Sequence, residues 1–391
     1  MPSSNVIASE SARLDAFPVA REHIFMAHAG VTVLPRCAAR AMQEYIEHSC
    51  VQHQEFADAY RMVNETRRIA ADFIGARASE ISLLGPTSLG LSLVANGIPW
   101  QPGDEVLCYH DDYPANVYPW MDLRRRGVSV RFLQPENPGE ITPELMERSL
   151  SSKTRLVALA SCHFFTGCRI DVDAIGRLLR SRGVLFCLDA IQTLGAFETR
   201  VDHVDFLSAD AHKWLLGPMA AGIFFVREEH HELLRPTLLG AWNVKSPNFV
   251  AQDEVVFEKG GRRYEPGVLN MAGILGMRAS MEMLARAGIA NISRRLLELK
   301  AHLIARLEPL GFHILPPASG PHVSGITTVW RDADSSPPVE RVFEHLAANN
   351  VIISLRHNRQ GKAHLRFSPH FYNTEAEVDR VAALISEAPL G

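Results

Sequence analysis

Between Ser79 and Val226 the chain alternates short apolar runs with amphipathic stretches, and few folds accept that alternation. The strand candidates are Ile81–Leu84, Glu105–Tyr109, Val128–Leu133, Leu156–Ser161, Leu185–Asp189, Phe206–Ser208 and Gly222–Val226. Helical patterns fall between several of them, at Ser88–Asn96, Ala115–Arg126, Thr142–Ser149 and Val172–Arg182. Thr142 followed by Pro143 reads as a helix cap with proline in the first helical position. Strands alternating with helices over this length predict an α/β layered domain on a mostly parallel sheet.

Beyond Pro266 the texture changes. Leu269 to Leu310 is almost all helical in pattern, with an interruption near Gly288. Strand candidates follow at Phe312–Leu315, Gly325–Val329, Val351–Ser354 and Leu365–Ser368. One helix is expected near Pro338, and another opens with the capping box Thr374-x-x-Glu377. Pro316–Pro321 and Asp332–Pro338 read as loops. The expected organisation is an N-terminal segment over 1–25, a large α/β domain over 26–268 and a small α+β domain over 269–391.

Composition narrows the class. With 391 residues, 47% hydrophobic and 21% charged, the chain can bury a large core and is not disordered. A net charge of −4 carries no footprint for nucleic acid. The longest uncharged stretch, Ile81 to Gly103, is broken by Pro86, Pro99 and Pro102, so no membrane span is expected. Met1 to Ala20 lacks a basic start followed by an apolar block, and the six cysteines form no C-x-x-C pair. A reducing, cytoplasmic setting and no metal site are the expectation. His230-His231 lies among Glu228, Glu229 and Glu232 and reads as a solvated helix start.

In open α/β sheets ligands bind beyond the carboxyl ends of strands, so the residues just after each strand matter most. After the first strand comes Gly85-Pro86-Thr87-Ser88, a small-residue turn opening a helix, where N–H groups and hydroxyls make an anion site. Tyr113 follows the second strand, and Asp189 closes an apolar one, with Gln192 three residues on. Lys213 stands beside His212 and Trp214 in a nearly uncharged neighbourhood, in a chain with only six lysines. Desolvation there would lower its pKa and make it a better nucleophile. An anion-binding helix end, an aromatic, an acid and a desolvated lysine together suit pyridoxal 5′-phosphate.

These residues, in this order, resemble the class V aminotransferase family of fold-type I pyridoxal phosphate enzymes. The family includes cysteine desulfurases, isopenicillin N epimerase-like proteins and kynureninase. The likeness runs from Met26-Ala27-His28-Ala29-Gly30-Val31 through Gly85–Asn96, Tyr113–Asn116, Asp189–Gln192, Ala211–Trp214 and Tyr264–Gly267 to Leu365–Thr374. The resemblance implies that Lys213 forms the Schiff base and Asp189 partners the pyridine nitrogen. It makes Gln192 a donor to the phenolic oxygen and Tyr113 the stacking ring. Thr87, Ser88 and His212 would hold the phosphate. Arg366 would grip the substrate α-carboxylate, with Arg356 and His28 shaping the substrate side. A homodimer is implied as well.

The sequence departs from the family pattern at four places. Asp210 puts an acid near the phosphate, Val268 replaces a common hydroxyl, and Phe164 stands where desulfurases often have Asn. The stretch Val351–Arg366 contains no cysteine, although that region supplies the sulfur-accepting thiol of cysteine desulfurases. The reading is therefore an enzyme cleaving Cα–H of an amino acid or amine, aminotransferase-like first, with an epimerase or racemase, or a C–S lyase or cysteine desulfurase-like activity, as alternatives. A non-catalytic cofactor-binding module is the remote rival, because fold alone does not prove function.

Overall fold

Most of the apolar runs between Ser79 and Val226 become strands buried on both faces, as strands between helical layers are. Val128–Leu133 becomes an edge strand exposed at Ser129 and Arg131. The computed structural model describes residues 7, 9–56, 58–332 and 336–388. The beginning of the 1–25 segment and part of Asp332–Pro338 lie outside the described residues. The chain runs α1 (Glu10–Ala16), β1 (Ile24–Phe25), α2 (Arg36–Ser49), α3 (Ala59–Ile74), β2 (Ile81–Leu83) and α4 (Thr87–Gly97). It continues through β3 (Glu105–Cys108), α5 (Tyr118–Asp122), β4 (Ser129–Phe132), α6 (Pro143–Ser149), β5 (Thr154–Ala160) and α7 (Val172–Ser181). Next come β6 (Leu185–Asp189), β7 (Phe206–Asp210), β8 (Gly222–Val226), α8 (Met271–Ala287) and α9 (Ile289–Leu307). The last part holds β9 (His313–Ile314), β10 (Thr327–Trp330), α10 (Val339–Ala348), β11 (Val351–Ile352), β12 (Ser354–His357), β13 (Ala363–Phe367) and α11 (Glu375–Glu387).

The central sheet has seven strands in the order β2-β8-β7-β6-β5-β3-β4. Only β8 runs against its neighbours. Because the others are parallel, the carboxyl ends of β2, β3, β5, β6 and β7 meet along one edge. A second sheet, β12-β13-β10-β9, is antiparallel throughout and packs with α9, α10 and α11 around its own core. This is the mostly parallel sheet plus smaller α+β unit of the type I fold.

Three expectations change in detail. Ala115–Arg126 is not one helix but a 3₁₀ turn at Pro114–Asn116, then α5, then a second 3₁₀ turn at Leu123–Arg126. Pro114 and Pro119 lack the N–H that a continuous ladder needs. Val351–Ser354 divides at Ile353, so that β11 pairs with β1 while β12 pairs with β13. His231 is not solvated: it is 7% exposed, hydrogen-bonds the Val226 carbonyl at 3.1 Å, and burial lowers its pKa.

The N-terminal segment closes back onto the C-terminal unit. Phe17 stacks on Tyr372 at 4.0 Å, Arg13 meets Glu377 at 2.8 Å, and Ala27 bridges Ser368. These contacts set where β13 lies relative to the central sheet.

Helix α4 approaches the sheet closely because it carries Gly90. A Cβ there would lie 2.8 Å from Ser208 Cβ and 2.9 Å from Phe224 Cδ2, both on buried strands. Overpacking at such a contact costs about 1–3 kcal/mol, and the fixed strand atoms place it at the upper end. That outweighs the roughly 1 kcal/mol that alanine gains over glycine within a helix. Gly90→Ala should therefore lower stability by about 1–2 kcal/mol in urea denaturation; an unchanged or higher midpoint would contradict this packing.

Candidate active site

The strand ends and β13 enclose a cavity of about 630 Å³ lined by Thr87, Ser88, Tyr113, Phe164, Asp189, Gln192, His212, Lys213, Arg356 and Arg366, among others. Nine of the ten residues singled out from the sequence thus come together, although they span Thr87 to Arg366. The tenth, His28, does not join them. It is 0% exposed, bonded to the Ser368 carbonyl and the Tyr372 hydroxyl, and packed against Phe25 and His370. Burial, reinforced by His370, holds its pKa well below the ordinary range, so His28 is a neutral packing residue rather than one shaping the substrate side.

At one end lies the start of α4. Its N-cap is Pro86, which offers no side-chain acceptor, so the first-turn N–H groups keep their need for an anion. Thr87 Oγ1 accepts the Asp210 N–H at 2.8 Å and Ser208 Oγ donates to the Thr87 carbonyl at 3.0 Å, pinning the turn to β7. Asp210 turns away from the cavity. Its carboxylate accepts from the N–H groups of Ala211, Ala220 and Ala221 and meets His212 Nδ1 at 2.9 Å. The acid that looked awkward beside an anion instead orients His212.

At the centre are Asp189 and Lys213. Asp189 Oδ1 accepts the Ile191 N–H and Oδ2 accepts Asn116 Nδ2, both at 2.9 Å. Burial raises its pKa, opposed by the Ile191 N–H, Lys213 and Asn116. Asn116 lies within the Tyr113–Asn116 run, and an amide two residues past Pro114 carries no signal of its own in the sequence. Lys213 is pushed down to about 8 by burial, with Asp189 opposing and Arg366 and Arg356 adding to the fall. Its Nζ sits 5.4 Å from the centre of the Tyr113 ring. Gln192 is fixed by donating to the Ala29 carbonyl at 3.1 Å while accepting the Trp214 indole N–H at 2.8 Å.

At the other end stands Arg366. It is 1% exposed, donates Nη1–H to the Phe164 carbonyl at 2.6 Å, and finds no partner for Nε and Nη2 among the described residues. A buried guanidinium with two free donors costs stability unless an anion arrives. Burial and then Arg356 lower its pKa to about 9.

Residues 24–381 match the family model described as aminotransferase class-V. The chain belongs to that family. A probable cysteine desulfurase of Methanothermobacter thermautotrophicus is 28% identical over 396 residues, covering 97% of this chain and 98% of that protein. The apo cysteine desulfurase of Thermococcus onnurineus NA1 superposes with a TM-score of 0.88 at 24% identity, covering 97% of both chains. A cystine C–S lyase in complex with its product cysteine persulfide does so at 0.85 and 20% identity, covering 95% of this chain and 99% of that one. Class-V enzymes use pyridoxal 5′-phosphate, and the cavity fits it: an uncapped helix end for the phosphate, a buried acid for the ring nitrogen and an amine of lowered pKa between them. Among the described residues no helix is long and apolar enough to cross a membrane.

The lowered pKa has a measurable sign. In the protein without cofactor Lys213 is neutral above about pH 8, where exposed lysines near 10.5 stay protonated. Limited acetylation should therefore label Lys213, which lines the open cavity, ahead of the exposed lysines, with a rate rising through pH 8. Peptide mapping that finds Lys245 or Lys259 labelled ahead of it would contradict the environment described.

Proposed function

We propose that this protein is a pyridoxal phosphate-dependent C–S bond-cleaving enzyme acting on an amino acid of the cysteine type. The observation that carries the reading is the meeting of Lys213, Asp189 and the half-unpartnered Arg366 in one cavity. The family relatives favour the C–S lyase alternative over the aminotransferase-like reading that the sequence put first.

Thr87, Ser88 and His212 would hold the phosphate, Tyr113 would cover the ring, and Gln192 would donate its remaining amide hydrogen to the ring's oxygen. When bound, the cofactor supplies an electron sink for the pair left at Cα. Asp189 would keep the ring nitrogen protonated, and Asn116 holds that carboxylate in place. Arg366 would grip the α-carboxylate through Nε and Nη2, a fork that fixes orientation as well as charge. Lys213 Nζ would take the Cα proton, its pKa being close to working pH. The Cβ–S bond then breaks, its electron pair leaving with sulfur.

The fate of sulfur distinguishes lyase from desulfurase. No cysteine lines the cavity among the described residues. Burial pushes the thiols of Cys162 and Cys168 up to about 12 and 11, so neither offers a thiolate. The sulfur fragment therefore leaves as a free species, with pyruvate and ammonia formed by uptake of water.

Given L-cysteine or L-cystine, the protein should release pyruvate in step with sulfide or persulfide. Alanine in place of pyruvate would restore the desulfurase reading, and amino transfer to a keto acid the aminotransferase one. Asp189→Asn should keep the cofactor and lower turnover by roughly two to three orders of magnitude; near-normal turnover would remove Asp189 from this role.

A cytoplasmic homodimer completes the proposal. Met219, Phe249, Val250, Val255 and Val268 are 54–74% exposed, and exposed apolar side chains are what a subunit contact would cover. Sedimentation should show two copies, and a fully active monomer would contradict it.

A further inference from the structure

Asp112 is a second buried acid at the carboxyl edge of the sheet, and the chemistry of Lys213, Asp189 and Arg366 leaves it without a task. It is 9% exposed and stands behind the cavity rather than in its lining. Its Oδ1 accepts the Tyr113 N–H at 2.6 Å. Its carboxyl also meets the side chain of Asn116, which is 3% exposed and donates Nδ2–H to Asp189 Oδ2 at 2.9 Å. One amide therefore lies between two buried acids. The turn that carries it, closed by the Asn116 N–H on the Tyr113 carbonyl at 2.8 Å, also carries the Tyr113 ring.

Two carboxylates so placed repel when both are ionised, and burial magnifies the repulsion. Their surroundings decide which one stays neutral. Asp189 has the Ile191 N–H, Lys213, Asn116 and His212 to offset its burial. Burial raises Asp112 to about 7, with Asp189 adding to the rise and the Tyr113 N–H, the Ala160 backbone and Asn116 opposing it. The other titratable groups that face Asp112 are Cys108 and Tyr109, which burial pushes up to about 12, and Lys213. Asp112 is thus the acid that keeps its proton below about pH 7 and loses it above.

We propose that Asp112 is a positioning residue which, while neutral, keeps Asp189 a weak base toward the cofactor's ring nitrogen and fixes the Tyr113 ring, acting through the Asn116 amide and the Tyr113 N–H. This rests on the cofactor's place in the cavity and not on the choice among lyase, desulfurase and aminotransferase. When Asp112 gives its proton to solvent, the new charge lies nearer to Asp189, across one amide, than to the ring nitrogen. It raises the proton affinity of Asp189 more than that of the ring. The proton shared by ring nitrogen and Asp189 then shifts toward Asp189, and the electron sink weakens. A like charge at such range corresponds to roughly a tenfold change in that balance.

The test uses holoenzyme whose cofactor is isotopically labelled at the ring nitrogen, so that its NMR shift reports whether that nitrogen is protonated. In the unaltered protein the signal should move from the protonated toward the neutral value as pH rises through about 7. Asp112→Asn is neutral at every pH and still accepts the Tyr113 N–H. It should hold the signal at the protonated value throughout and keep the cofactor affinity unchanged. Asp112→Ala should lose the pH dependence as well, but bind cofactor roughly three- to tenfold more weakly, because Tyr113 loses its anchor. A signal that titrates alike in the unaltered protein and in Asp112→Asn would overturn the inference, as would one that stays flat in the unaltered protein. Equal cofactor affinity in the Ala and Asn variants would overturn the role through Tyr113. None of these readouts depends on whether L-cysteine yields pyruvate, so the lyase reading stands or falls separately.

Discussion

The burial of charge at the carboxyl edge of a parallel sheet is the constraint around which this molecule is arranged. Asp112, Asp189, Lys213 and Arg366 are all at most 9% exposed, and none is closed off by a conventional ion pair among the described residues. The two carboxylates are steadied instead by directed hydrogen bonds. Asp112 accepts the Tyr113 N–H at 2.6 Å and burial raises it to about 7; Asn116 stands between it and Asp189. An isolated charge in such surroundings would be costly. The arrangement is affordable because acid and amine face one another and the remaining donors point into a cavity that a ligand can fill. Groups held at shifted pKa values in a cleft are what proton transfer near neutral pH needs.

The second requirement is that two separate cores hold one cavity. Lys213 and Asp189 belong to the large sheet, whereas Arg356 and Arg366 ride on the antiparallel sheet of the C-terminal unit. Their alignment depends on the chain's beginning. Phe17 and Arg13 clasp Tyr372 and Glu377, β1 pairs with β11, and the chain then turns at Ala29 and Gly30 on the cavity wall. His28 finds its use here. Its ring joins Phe25, His370 and Tyr372 into a buried aromatic cluster between the two units.

Much of this was legible in the chain. Strands buried on both faces must be apolar throughout, so Leu185–Asp189 and Gly222–Val226 stand out with their observed limits. Local capping chemistry marks Thr142 and Thr374, whose side chains do accept the expected N–H groups. A lone acid at the end of such a strand and a lone lysine after another are conspicuous because hydrophobic surroundings seldom tolerate them. Asn116 was not conspicuous, since an amide two residues into a turn is ordinary until a carboxylate 73 positions away is seen to accept from it.

What the sequence determined by itself was therefore local and periodic: the order of strands and helices, the caps, and the residue types that desolvation would make reactive. Tertiary structure decided the rest. Whether Asp210 faced an anion or turned inward depended on the backbone of Ala220 and Ala221, ten residues away across a strand turn. Whether His28 touched substrate depended on Ser368 and Tyr372. The convergence of Arg356 and Arg366 over Gly30 depended on strand register joined to a contact between the two ends of the chain. Direction and distance between side chains far apart in sequence are set by packing, and no periodicity along the chain encodes them.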